Sequence, residues 1–339
     1  MWAAVAAVGT AVVWKGSELL EGASERLSVY YRLPEIVQGA IVVAIGSSFP
    51  ELATVVMSTL VHGEFELGVA AIVGSALFNI MVIPALSGLV AKEQLTTNRD
   101  LVFKEAQFYM IAVAVLLLTF SFAVIYNPVE SGNGDLEGEL TRWLAILPLV
   151  LYVVYVFVQY QDTMDHQSDA DVSHIRPGRE WVRLAASLLL IVAGVEALVR
   201  AAVNFGDILG TPSFLWGITI VAAGTSVPDA FVSVRAARNG KGITSTANVL
   251  GSNIFDLLCI IPIGVLIAGT AVINYSVAAP MMAVLTFATV ILFLMMRTNM
   301  ILSRSESWVL LALYGIFIAW ISLESFNVVD MIVNFPPGL

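Results

Sequence analysis

The chain has 339 residues, 58% of them hydrophobic and only 12% charged, about half the charged fraction of an average soluble domain. Its formal net charge is −10 and it has one cysteine, Cys259. This excludes an internal disulfide framework and any multi-cysteine metal site, and the recurring long apolar runs exclude an ordinary soluble fold.

Ten apolar runs follow in chain order, near residues 1–23, 36–62, 67–90, 104–126, 141–160, 181–203, 214–237, 244–270, 277–296 and 306–326. Each is long enough to cross a hydrocarbon core of roughly 30 Å. The first begins at Met1 with neither a basic n-region nor a small-residue cleavage site, so it reads as a spanning helix and not a removed signal peptide. The connections after odd-numbered spans hold 13 of the 16 basic residues, among them Arg26, Arg32, Lys92, Arg176, Arg235 and Arg297. Positive charge marks the cytoplasmic face, so the pattern predicts a multi-pass cell-membrane protein with both termini outside. The connection 127–140 on the other face is acidic and carries no base. Residues 161–180, QDTMDHQSDADVSHIRPGRE, read as a solvated cytoplasmic linker. Cys259 lies in an apolar run and reads as a small buried hydrophobe. His62, His166 and His174 fall in polar connections, which argues against a histidine metal site within the membrane.

Shifted by 178 residues, the chain matches itself. Over 14–51 there are 11 identities in 38 positions, including Gly16/Gly194, Glu18/Glu196, Pro34/Pro212, Gly46/Gly224, Ser48/Ser226 and Pro50/Pro228; chance would give ~3 for so biased a composition. After one deleted residue, VGSALFNI (73–80) faces LGSNIFDL (250–257) at a shift of 177. The repeat divides the chain into a first half, 1–160, with its motif over 44–80, the linker 161–180, and a second half, 181–339, with its motif over 222–257. Five spans per half is an odd number, so the second half enters the membrane from the opposite face. Inverted repeats of this kind mark secondary transporters, with the substrate site near the midplane between the copies; channels can carry them too. The expected fold is all-α, ten transmembrane helices in two inverted five-helix repeats, with helices 2, 3, 7 and 8 broken.

The repeated motifs GSSFPE (46–51) and GTSVPD (224–229) place a carboxylate just after a proline inside an apolar run. Pro50 and Pro228 lack an N–H and crowd the carbonyls of Gly46 and Gly224, which opens the helical ladder. Freed carbonyls inside a membrane need a partner, and a cation is a good one. Ser47 and Glu51 are four residues apart, as are Thr225 and Asp229, Ser75 and Asn79, and Ser252 and Asp256, so each pair shares one helix face. Four such pairs from spans 2, 3, 7 and 8 would converge as an all-oxygen cluster suited to hard cations, Ca2+ and Na+ above all. A single serine in a membrane helix more often bonds back to its own carbonyls. Glu51, Asp229 and Asp256 are different, because an ionisable group at the bilayer centre costs at least ~2.5–3.5 kcal/mol. Glu18 and Glu196, late in their spans beside Lys15 and Arg200, read instead as members of structural ion pairs or as interfacial residues.

GSSFPE with VGSALFN, and GTSVPD with LGSNIFD, resemble the two alpha-repeats of the cation/Ca2+ exchanger superfamily, and the likeness covers essentially the whole chain. The resemblance implies a Na+/Ca2+ antiporter of alternating access, with spans 1 and 6 sliding against a core of four ion sites, the Na+ gradient driving Ca2+ extrusion, and no cofactor. It implies that Glu51 and Asp229 coordinate Ca2+ with the main-chain carbonyls of Ser47 and Thr225. Ser48 and Ser75 would complete one Na+ site. Ser226, Ser252 and the carbonyl of Ala222 would complete its counterpart, with Ala44 matching Ala222, and Asn79 and Asp256 would flank the centre. Aspartate in both second-half motifs resembles the K+-dependent branch, so K+ or H+ remain open as further coupling ions. A cation channel is the rival of a different class. An intramembrane aspartyl protease needs a carboxyl pair sharing one proton around a water, and it does not require the surrounding hydroxyls.

Overall fold

The computed structural model describes residues 1–31, 44–92, 94–130, 136–161 and 176–332. The expected first part of span 2 and the central stretch 162–175 of the linker lie outside the described residues. Helices long and apolar enough to cross a membrane run over Trp2–Tyr30 (span 1), Phe65–Val90 (span 3), Leu101–Tyr126 (span 4), Arg142–Gln159 (span 5) and Pro177–Leu209 (span 6). Four more follow, Ser213–Arg238 (span 7), Gly242–Ala268 (span 8), Tyr275–Arg297 (span 9) and Arg304–Ser325 (span 10). Span 2 is seen as a short helix, Ala44–Ser47, followed by Phe49–Leu60. Residues 177–180, expected in the linker, instead open span 6: Pro177 stands in its first turn, where a missing N–H costs nothing.

The helix breaks differ in kind from those expected. Span 2 is interrupted at Ser48 (φ −92°, ψ 9°), just before Pro50. Span 7 holds Pro228 inside the α-helix Ala222–Arg238 and departs from α geometry earlier, in a π-helical turn over Gly217–Val221. Span 8 carries a π-turn over Asp256–Ile260. Span 3 is not broken: Phe65–Val90 is one continuous α-helix. Its motif VGSALFNI has no proline, so nothing opens the ladder there.

Span 3 forms the axis of the molecule, with 89% of its apolar window buried, against 17% for span 5. Small residues let it approach its neighbours. A Cβ on Gly74 would come within 2.3 Å of the Ile218 carbonyl in the π-turn of span 7, and one on Gly217 within 2.8 Å of the Leu67 carbonyl. Spans 1 and 6 make a separate pair. Gly9 abuts Gly194, and Gly16 abuts Ser187 and Ile191, so the two helices run antiparallel with backbones in close approach. Their apolar contacts, with Val13, Leu20, Ile191 and Leu198, form a second cluster that also takes in Ala53 of span 2, Leu67 and Ala71 of span 3 and Val221 of span 7, beside the main core around Ile80, Leu116, Leu257 and Leu285. Arg26 at the end of span 1 donates to Glu180 at the start of span 6 at 2.7 Å, and Arg183 donates to the same carboxylate at 2.8 Å.

Two small sheets, absent from the sequence expectation, tie the halves together. Strand β1 (Leu95–Thr96) pairs antiparallel with a strand over Ile301–Leu302, between spans 9 and 10. On another connection, β2 (Pro128–Val129) pairs with β3 (Glu137–Thr141), which pairs with β4 (Thr270–Asn274). Each sheet joins the connection after the third span of one half to the connection after the fourth span of the other, as an inverted repeat requires.

The Gly74 contact yields a direct test. Gly74→Ala should destabilise the protein by overpacking, by about 1–3 kcal/mol, seen as a lower thermal midpoint in detergent. Gly315→Ala in span 10, with nothing within 4 Å of the added carbon, should leave that midpoint unchanged or raise it.

Candidate cation site

The motif residues of both halves meet in one buried cluster. Ser47, Ser48, Glu51, Ser75, Asn79, Thr225, Ser226, Asp229, Ser252 and Asp256 are each no more than 3% exposed. Two contacts across the cluster follow the repeat: Ser75 Oγ donates to Glu51 Oε1 at 3.4 Å, and its counterpart Ser252 Oγ donates to Asp229 Oδ1 at 3.3 Å. Hydroxyls also cross between halves, Ser47 to Ser252 at 3.2 Å and Ser75 to Ser226 at 2.8 Å, but these are not repeat images of each other, since Ser47 matches Thr225 and Ser226 matches Ser48. Thr225 lies beside Glu51 just as Ser47 lies beside Asp229, and its hydroxyl also donates to the Ala222 carbonyl at 3.2 Å. Ala222 opens the α-helical part of span 7 directly after the π-turn, and Ala44 opens the short helix before the Ser48 interruption.

The symmetry is also broken at the amide. Asn79 Nδ2 donates to Asp229 Oδ2 at 3.3 Å. In the other half the matching residue is Asp256, which lies within electrostatic reach of Glu51 and makes no hydrogen bond. Ser48 faces Asp256, yet neither its hydroxyl nor either Asp256 carboxylate oxygen has a hydrogen-bond partner. Glu51 Oε2 and Asn79 Oδ1 are also unpaired, so five of the nine such buried atoms among the described residues belong to this cluster. Buried acceptors are normally paired. A set of them, acidic and facing one another, is electrostatically fit for cations.

Among the described residues, no three His, Cys, Asp or Glu side chains stand close enough together to hold a metal ion by themselves. A cation here would therefore have to draw hydroxyl, amide and main-chain oxygens into its shell along with carboxylates, which favours hard ions.

Beside the cluster, a cavity of about 460 Å³ opens between spans 1 and 7, lined by Glu18, Glu21, Glu25, Pro228, Arg235 and Lys241. Glu21 lies within electrostatic reach of Asp229. Glu18 pairs with Lys15 at 2.5 Å, and Glu196 pairs with Arg200 and with His62, so both repeat-matched glutamates are ion-pair members outside the cluster. Cys259 is buried.

Two further polar residues were not anticipated. Asn253 and Tyr109 are fully buried and connect to Asn79. Asn253 was visible as a second amide beside Ser252, but its counterpart is Ala76, so the repeat gave no signal. Tyr109 lies on span 4, outside both motifs.

The family model described as "Sodium/calcium exchanger protein" matches residues 1–161 and 179–323. The uncharacterized membrane protein MJ0091 of Methanocaldococcus jannaschii is 27% identical over 313 residues, 92% of this chain and 95% of that protein. The sodium/calcium exchanger MaX1 of Methanosarcina acetivorans is 25% identical over 341 residues, covering 92% and 95%. Among solved structures, the sodium-calcium exchanger NCX_Mj soaked with 10 mM Na+ and 10 mM Sr2+ superposes with a TM-score of 0.60 at 25% identity, covering 94% of this chain and 97% of that one.

The unpaired oxygens yield a test that needs no ligand. In chelator at neutral pH, Asp256→Asn should raise the thermal midpoint in detergent. It replaces a buried acidic group whose two oxygens lack partners, and which must either carry an uncompensated charge or be held protonated, by a neutral amide that can also donate. A lower midpoint would mean that the carboxyl group is compensated.

Proposed function

The chain belongs to the sodium/calcium exchanger family, and from that premise we propose that it is an antiporter exchanging Na+ for Ca2+ at the cluster between spans 2, 3, 7 and 8. It is a transporter, not an enzyme, and the ions are its substrates. The observation that carries the assignment is the set of unpaired buried oxygens contributed by both halves.

In this reading Glu51 and Asp229, with the carbonyls of Ser47 and Thr225, hold Ca2+. Ser48 and Ser75 on one side, and Ser226, Ser252 and the Ala222 carbonyl on the other, serve Na+, with Ala44 as the counterpart of Ala222. Asn79 and Asp256 flank the centre.

Charge explains why transport is coupled. Glu51, Asp229 and Asp256 together can carry a charge of −3. Three Na+ neutralise it, whereas Ca2+ leaves −1, which a proton on Asp256 or a K+ would cancel. Closing the site empty would bury uncompensated charge at a cost of several kcal/mol per ion. The inward and outward states therefore interconvert only when loaded, and that constraint makes exchange obligatory. The close glycine contact between spans 1 and 6, Gly9 against Gly194, suits a pair that slides as a unit over the core. The cavity lined by Glu18, Glu21 and Glu25 lies near Arg235 and Lys241. Their charge marks the cytoplasmic face, which puts both termini outside, in a cell membrane, and makes this cavity the inner approach to Asp229. The Na+ gradient then drives Ca2+ outward.

Uptake of 45Ca2+ into proteoliposomes, with Na+, K+ and pH gradients imposed separately, tests this function. Uptake should follow an outward Na+ gradient, and indifference to all three gradients would exclude antiport. Asp256→Asn should change the ion stoichiometry or the K+ dependence while the protein still folds. Unaltered Na+ and K+ dependence would remove Asp256 from its role.

A further inference from the structure

Asn79 sits at the centre of the cluster, and an amide, unlike a carboxylate, has two chemically opposite ends. Only one end can serve a cation. The hydrogen bonds that surround Asn79 decide which end that is.

The chain of contacts starts at a main-chain carbonyl, which can only accept. Asn253 Nδ2 donates to the Ala76 carbonyl of span 3 at 3.2 Å, and also to the Tyr109 hydroxyl oxygen at 3.3 Å. Turned over, Asn253 would press its oxygen against that carbonyl. Its Oδ1 therefore faces Asn79 and accepts from Asn79 Nδ2 at 3.0 Å. The second Asn79 N–H goes to Asp229 Oδ2 at 3.3 Å. Asn79 Oδ1 is left buried and unpaired. All four residues, Asn79, Asn253, Tyr109 and Asp229, are at most 1% exposed, so no water competes for these bonds.

We propose that Tyr109, acting through Asn253, is a positioning residue that locks the Asn79 amide with its oxygen toward the transported cation. The asymmetry of the repeat supports this. Asn253 has no polar counterpart, since the matching residue is Ala76. The residue matching Asn79 is Asp256, whose two oxygens are equivalent and need no orienting. The support exists only where an amide requires it. The proposal rests on the assignment of the cluster as the cation site.

The test is equilibrium binding of 45Ca2+ to the purified full-length protein in detergent, with transport in proteoliposomes as a second readout. Tyr109→Phe should weaken Ca2+ binding by about fivefold, the equivalent of one net hydrogen bond. Maximal Na+-driven uptake per folded protein should stay within about twofold, as expected for an effect on binding alone. In an Asn79→Asp background, Tyr109→Phe should cause no further weakening, because a carboxylate cannot be misoriented. Unchanged Ca2+ affinity in the Tyr109→Phe variant, or an equal loss in the Asn79→Asp background, would overturn the positioning role. No Ca2+ binding to the wild-type protein would instead overturn the site assignment itself.

Discussion

Oxygen acceptors without donors, held together where water does not reach, govern this structure. Glu51 and Asp256 lie within electrostatic reach of each other from opposite halves, and the unpaired oxygens of the cluster include those of Ser48 and Asn79. In a low-dielectric interior such an arrangement is unfavourable without positive charge, and favourable with it. In the proposed function, the same property that would draw cations into the cluster would make the empty form resist closure, and coupling would follow from electrostatics with no separate device.

The rest of the fold keeps those acceptors close. Span 3 runs unbroken through the centre and meets the π-turn of span 7 at Gly74 and Gly217, backbone against backbone. The π-turns at Gly217–Val221 and Asp256–Ile260 are local departures from α geometry, a feature frequent at functional sites. Two small sheets join connections of one half to those of the other. Spans 1 and 6 pack on each other through glycines and against spans 2, 3 and 7 through a second apolar cluster.

Much of this was legible in the residues. Carboxylates at matched positions 51 and 229, each in an apolar run, have few reasons to exist other than ions; the four-residue spacing picked out the hydroxyls of the cluster but not their pairing, since Glu51 takes its hydrogen bond from Ser75 and Asp229 from Ser252. The ten spans emerged from run length, although span 6 begins earlier than expected because Pro177 could open it. The break expected in span 3 does not occur, since the motif there has no proline and small residues alone leave the ladder intact. The π-turns left no trace, because an inserted residue in a helix has no composition of its own. The strand pairings escaped notice as well: two-residue segments such as Leu95–Thr96 are too short to show alternation. Asn253 and Tyr109 were passed over because internal repetition reveals what both halves share, and these two residues serve only one.

The claim at the centre is that the two halves present one shared cation pocket. Anomalous diffraction from crystals of this protein soaked in Sr2+ addresses it most directly. The account predicts a peak between Glu51 and Asp229, with oxygen distances in the range of about 2.3–2.6 Å typical of calcium sites, that weakens as Na+ is raised. A peak confined to the acidic cavity at Glu18 and Glu25, with none between Glu51 and Asp229, would contradict it.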